Sequence, residues 1–204
     1  MWRSTPHQKA ILEACASQPL STVLSLLSTC PDPPPDAKDM ADEAATHGNA
    51  PVLSHLVCSG AIQFKGFLLY YSAAAHSREC VEIMLDRGGC DINDREDRIG
   101  NVLVWALGRR GCPDAFIEWL LARGARAERN YGYANEEHMP EYGYCLERAV
   151  ARGSVAIMRM LVAHGAEVDA SRALHTAVAM GYVDKVQFLV EEAGANLFVA
   201  RVHS

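Results

Sequence analysis

The stretch ALHTAVAMGYVDKVQFLVEEAGANL, residues 173–197, decides how the chain is read. It falls into two short segments with apolar residues at helical spacing, joined at Gly181 and Tyr182 and closed by Gly194. Such a pair is either a lone helix–turn–helix or one copy of a repeat. Its frame is Leu174, then Ala177, then Gly181, then an apolar helix ending at Gly194-Ala195.

That frame returns upstream. YCLERAVARGSVAIMRMLVAHGAEVD, residues 144–169, places Leu146, Ala149, Gly153 and Gly165-Ala166 in the same slots. VLVWALGRRGCPDAFIEWLLARGARAE, residues 102–128, keeps Leu103, Ala106 and Gly124-Ala125, with one residue inserted before Gly111. LYYSAAAHSRECVEIMLDRGGCDIN, residues 69–93, offers Leu69, Ser72, His76 in the glycine slot, and Gly88. ADEAATHGNAPVLSHLVCSGA, residues 41–61, has Ala44, Gly48 and Gly60-Ala61. The weakest copy is ILEACASQPLSTVLSLLSTC, residues 11–30, with Ala14, Gln18 and Leu26-Leu27.

These residues resemble the ankyrin repeat, whose pattern runs T-P-L-H-x-A-A-x-x-G-H, then V-x-x-L-L, then G-A-D. GGCDIN and GAEVD are similar to that family's G-A-D-V-N. No copy has Thr-Pro before Leu-His, and only Leu174-His175 keeps the second dipeptide. The family's threonine–histidine network between units is therefore mostly missing. The units start near residues 11, 41, 69, 103, 146 and 174, so the period wanders around the family's value of about 33. The fold expected is all-α: an ankyrin-type solenoid of stacked helix–turn–helix units over residues 1–204, with short or irregular hairpins. The units lie near 8–30, 40–61, 66–93, 100–125, 143–169 and 171–197, and a long finger spans 126–143.

Physics supports stacking. Each first helix is rich in small residues, such as Ala73, Ala74 and Ala75, which lets a neighbour approach closely. Each second helix repeats bulky apolar residues, Ile157 and Leu161 in one copy, Val186 and Leu189 in the next. A single unit cannot bury both faces, so neighbours must cover them. The proline cluster CPDPPPDAKD, residues 30–39, reads as a stiff connection between the first two units. Leu197, Phe198, Val199 and Val202 have no following copy; they either fold back over the last helix pair or contact another chain in a weak dimer.

Bulk composition narrows the function. The 204 residues are 50% hydrophobic with a formal net charge of −6, which argues against a nucleic-acid backbone binder. No run of about 18 apolar residues exists to span a membrane. Glu13 and Gln18 interrupt the N-terminal apolar stretch, a poor signal peptide, so the expected location is intracellular and cytoplasmic, with nothing to separate cytosol from nucleus. The seven cysteines are scattered without C-x-x-C, and the eight histidines form no H-x-x-x-H or H-E-x-x-H, so neither a metal nor a cofactor is expected. Trp105 and Trp119 occupy apolar slots and read as core, and His175 sits where the family's imidazole is structural.

The resemblance implies a concave binding face built from hairpin tips and the exposed ends of the first helices. The positions carried over are Ala16 and Ser17; Thr46 and His47; Ala74 and Ala75; Gly108, Arg109 and Arg110; Ala151 and Arg152; Ala179 and Met180. Among them Arg109, Arg110 and Arg152 form a basic cluster on an acidic chain, suited to carboxylates. The finger adds Tyr131, Tyr133, Tyr142 and Tyr144, four of the seven tyrosines, with Glu136, Glu137 and His138 at its tip. Two functions are open. One is a protein-interaction module whose groove and finger dock a protein or peptide, plausibly an acidic one, with Arg109, Arg110, Arg152, Tyr131, Tyr133, Tyr142 and Met180 as binding residues. The other is a metal-free isomerase, cyclase or dehydratase, in which the finger closes over the groove on a small molecule. His138, Glu137 and Tyr133 would then be its catalytic groups.

Overall fold

The computed structural model describes residues 5–62, 66–94, 100–127, 145–169 and 171–196. The chain divides into two compact units, residues 1–94 and 95–204. Among the described residues all regular structure is helical.

In the first unit, α1 (Pro6–Ser17) and α2 (Leu20–Thr29) are followed by α3 (Ala37–His47) with α4 (Ala50–Cys58), then α5 (Gly66–Ala74) with α6 (Arg78–Asp86). The first helices pack in series, α1 on α3 and α3 on α5, while α2, α4 and α6 form a second layer. Small residues make the first layer possible: Ala41, Ala44, Ala45, Ser72 and Ala73 are all fully buried. Local chemistry fixes the ends. Thr5 and Gln8 form a reciprocal capping box ahead of Pro6, and Asp36 and Ser77 accept backbone N–H groups at the starts of α3 and α6. The proline segment is tied to α1, since Gln8 Nε2 donates to the Pro33 carbonyl at 2.9 Å and Pro35 is buried.

The turn between α3 and α4 needs a left-handed residue, and Gly48 supplies it at φ 74°. A Cβ there would lie 3.3 Å from that of Ser77 in the neighbouring turn, so the absent side chain also sets how closely the two turns approach. In the next turn His76 occupies that slot at φ 55°, the one positive-φ residue other than glycine among the described residues.

The second unit contains α7 (Val102–Ala106) with α8 (Asp114–Ala122), α9 (Cys145–Arg152) with α10 (Val155–Ala163), and α11 (Ala173–Ala179) with α12 (Val183–Gln187). The last helix continues through a π turn, Phe188–Glu192. Its cause is visible in the frame: Leu189 to Gly194 is one residue longer than Leu161 to Gly165. Where His164 N–H reaches the Met160 carbonyl, Ala193 N–H reaches back one residue further, to Phe188. The core is a column of Leu103, Leu107, Ile117, Leu120, Leu146, Val150, Ile157, Leu161 and Leu189. Asn101 caps α7 and also donates to the Arg126 carbonyl at 2.8 Å. Trp105 and Trp119 are half-buried rather than core. Trp119 stacks on Phe116 and carries the Arg123 guanidinium over its ring, 5.3 Å from the ring centre. The hydrophobic period identifies their side of the helix; their size keeps one edge in solvent.

Candidate functional site

A helix that stops abruptly leaves its last carbonyls without intrahelical donors. In this chain the next unit supplies several of those donors. Asn49 Nδ2 donates to the carbonyls of Cys15 and Gln18 at the end of α1, both at 2.9 Å. Lys185 does the same for α9, and its ammonium also lies 4.5 Å from the centre of the Tyr182 ring. Arg152, the last residue of α9, donates through Nη1 to the carbonyl of Gly108, just beyond α7. Sequence reasoning missed Asn49 and Lys185. Lys185 has a recognisable signal, because it fills the apolar slot that Ile157 holds in the preceding unit.

The hydrogen bond from Arg152 brings that side chain to the turn carrying Arg109 and Arg110, so the three expected arginines sit around one turn. All three are exposed. Met180 caps α11 one unit further on and is 51% exposed. Tyr131, Tyr133, Glu137, His138 and Tyr142 lie outside the described residues. Residues 197–204, with Phe198 and Val202, do too.

Charge is segregated within the second unit. Its first helices and the turns that follow, residues 100–112, 145–154 and 171–182, carry Arg109, Arg110, Arg148, Arg152 and Arg172 against a single carboxylate, Glu147. The second helices and their following loops, residues 113–127, 155–169 and 183–196, balance the other way: Asp114, Glu118, Glu167, Asp169, Asp184, Glu191 and Glu192 outnumber Arg123, Arg126, Arg159 and Lys185. Glu147 is half-buried on α9, and its Oε2 has no hydrogen-bond partner among the described residues. Burial raises its pKa above the usual carboxylate range, opposed by the charges of Arg172, Arg148 and His175 and by a hydrogen bond with Thr176. Removing that carboxylate's charge leaves the arginine field less compensated. For Lys185 burial lowers the pKa, opposed by Asp184.

The thiols offer no nucleophile at neutral pH in the core. Burial pushes Cys15 up to about 11, and Cys112 and Cys145 up to about 12. No disulfide links any of the seven cysteines. Among the described residues no group of three or more His, Cys, Asp or Glu side chains could hold a metal ion, and no helix is long and apolar enough to cross a membrane. In the first unit α4 and α6 leave an open groove of about 370 Å³ whose lining includes Ser54, Glu79, Glu82, Asp86 and Arg87. There the Arg87 guanidinium donates to Ser54 Oγ at 2.7 Å. None of the expected binding residues lies in it.

Comparison with known proteins agrees with this architecture. Residues 171–201 match the family model for the ankyrin repeat. The ankyrin repeat domain of Bcl-3, described as a unique member of the IkappaB protein family, aligns with 95% of this chain and 87% of its own at 22% identity and a TM-score of 0.58. The human ASB11 ankyrin repeat domain aligns with 96% of this chain and 86% of its own, at 22% identity and a TM-score of 0.64. A third match is a chain from the complex of Bd0816 predatory endopeptidase from Bdellovibrio bacteriovorus with immunity protein Bd3460. It aligns with 93% of this chain and 100% of its own, at 17% identity and a TM-score of 0.61. No curated protein matches the sequence significantly. The fold is the all-α ankyrin-repeat solenoid.

Proposed function

We propose that this ankyrin-fold chain is a protein-interaction module that takes an acidic protein segment against the first helices of its second unit. Arg109, Arg110 and Arg152 are the principal contacts, and Met180 extends the surface. Tyr131, Tyr133 and Tyr142 of the finger add aromatic contact area at low entropic cost. The observation that carries this reading is the separation of charge. Five arginines gather against one carboxylate on the first helices and turns of this unit, on a chain of net charge −6. A cationic strip steers carboxylate-rich partners, while the net charge of −6 disfavours nucleic acid. Two of the structural neighbours are named as ankyrin repeat domains and a third comes from a protein–protein complex, which supports the class of function. Scattered cysteines without a disulfide favour a reducing, intracellular location.

The test is fluorescence anisotropy with a labelled peptide of alternating Glu and Asp at low salt. Arg109→Glu with Arg110→Glu is the informative variant, because neither arginine lies in a helix and both are exposed. Arg152→Glu would also break its bond to Gly108. Saturable binding that the double variant abolishes at unchanged Tm supports the proposal. Equal binding by the double variant overturns it, as does no binding by the unaltered chain.

A further inference from the structure

A carboxylate set among arginines ordinarily finds a donor for each oxygen. Glu147 does not. It stands on the first turn of α9, half-buried, and its Oε2 is enclosed without a hydrogen-bond partner among the described residues. α11 packs on α9 and brings Arg172 and His175 towards it, with Thr176 as a hydrogen-bond partner, and Arg148 is its neighbour on α9 itself. α7 also packs on α9 and carries no titratable side chain. α10 brings only Arg159, whose guanidinium is paired with Glu192 at 2.6 Å. Of the remaining groups on or against α9, the Cys145 thiol is pushed up to about 12 by burial, Arg152 bonds the Gly108 carbonyl, and Lys185 is held on the carbonyls of Val150 and Gly153. Glu147 is therefore a lone carboxylate facing two arginines and an imidazole, inside the strip assigned above to an acidic partner.

Two effects oppose each other at this side chain: enclosure disfavours its charged form, and the arginines favour it. An acidic segment along the strip moves that balance in one direction. Its carboxylates add negative potential at Glu147 and compete for Arg148 and Arg172, and both changes favour the protonated acid. The reach is sufficient. Glu147 precedes Arg152 by five residues, about 7.5 Å of helix rise, well inside the ~30 Å over which charges interact at about 0.01 M salt. We propose that Glu147 sets the strength of the arginine strip: ionised, it offsets the field of Arg148 and Arg172, and an acidic partner binds with uptake of a proton at Glu147. Linkage requires the converse. Affinity is greatest with Glu147 protonated and falls as pH rises through its raised pKa. This inference rests on the acidic-partner reading and adds a regulator to the same site.

The test compares the full chain with Glu147→Gln, using a labelled peptide of cysteic acid at low salt. Its sulfonates stay ionised throughout, so the probe's own charge is constant with pH. Glu147→Gln should bind about 2- to 5-fold more tightly than the parent at about pH 7.5, the scale of one unit charge at such a distance. The ratio should fall to one near pH 4.5. Any charge that His175 gains is common to both proteins, so the ratio isolates Glu147. A second measurement needs no variant: the Glu147 carboxyl carbon, followed by NMR in the parent, should titrate at higher pH with the peptide bound than without it. A ratio that is flat with pH or reversed, or a carboxyl titration that the bound peptide leaves unmoved, overturns this inference and leaves the acidic-partner reading standing. A parent chain that binds the peptide at no pH overturns both.

Discussion

Lys185 Nζ donates to the carbonyl oxygens of Val150 at 2.5 Å and Gly153 at 2.9 Å, joining the last helix pair to the end of α9. The bond places a cation at the negative end of a helix and satisfies two carbonyls that α9 cannot. It also explains why a lysine survives in a slot built for an aliphatic residue. Lys185→Met keeps the volume and the apolar stem but strands both acceptors. We expect a loss of about 1.5–3 kcal/mol by urea denaturation, since hydrogen bonds from a charged donor fall in that range. A variant as stable as the parent would show that the stem alone matters.

Asn49 plays the corresponding part for α1 with a neutral amide, bonding Cys15 and Gln18. Asn49→Ala should cost about 1–3 kcal/mol, the penalty for leaving part-buried carbonyls unpaired. Amide hydrogen exchange should quicken in α1 and α4 and not in α9 or α10. Uniform quickening along the chain would refute a local role.

His76 pays for its left-handed backbone. Its φ of 55° costs an ordinary residue about 1–2 kcal/mol, and glycine offsets part of that through its greater freedom when unfolded. His76→Gly is expected to stabilise the first unit by about 0.5–1 kcal/mol. A destabilised variant would mean that the imidazole's own contacts outweigh the backbone cost.

Glu147 gives the chain a pH-dependent term of defined sign. Burial raises its folded pKa above the ordinary value of 4.5, so its contribution is full below that range and is lost as pH rises through the raised value. Glu147→Gln cannot ionise and escapes that loss. The variant's Tm should exceed the parent's by roughly 1–3 °C at about pH 7.5, a figure discounted for partial exposure, and the gap should close near pH 4.5. A gap that is constant with pH, or reversed, would remove Glu147 as the titrating group.

The repeat was legible because its signals are local. Leu174, Ala177 and Gly181 stand at fixed spacing, that spacing recurs, and even His76 was recognisable as a stand-in for glycine. Tertiary donors were not legible, because a donor's target lies a full unit away in sequence. In the sequence Lys185 only interrupts the apolar spacing and Asn49 only follows a turn glycine. Arg152 is expected at the groove from its position in the repeat, and the structure shows its guanidinium bonding the Gly108 carbonyl. Exposure at the last unit was hidden for the same reason: Val150 and Val178 look alike in the sequence, and only the presence or absence of a neighbour separates them.

The π turn at Phe188–Glu192 bears on how such a chain changes over time. A codon gained near the end of a second helix widens a single coil of backbone, from the Met160–His164 kind to the Phe188–Ala193 kind, and the following glycine still closes the helix. Leu189 remains in the core, fully buried like Leu161. Here the extra residue is absorbed within one coil. That makes this point of the unit a place where length can drift while the register between neighbours is inherited intact.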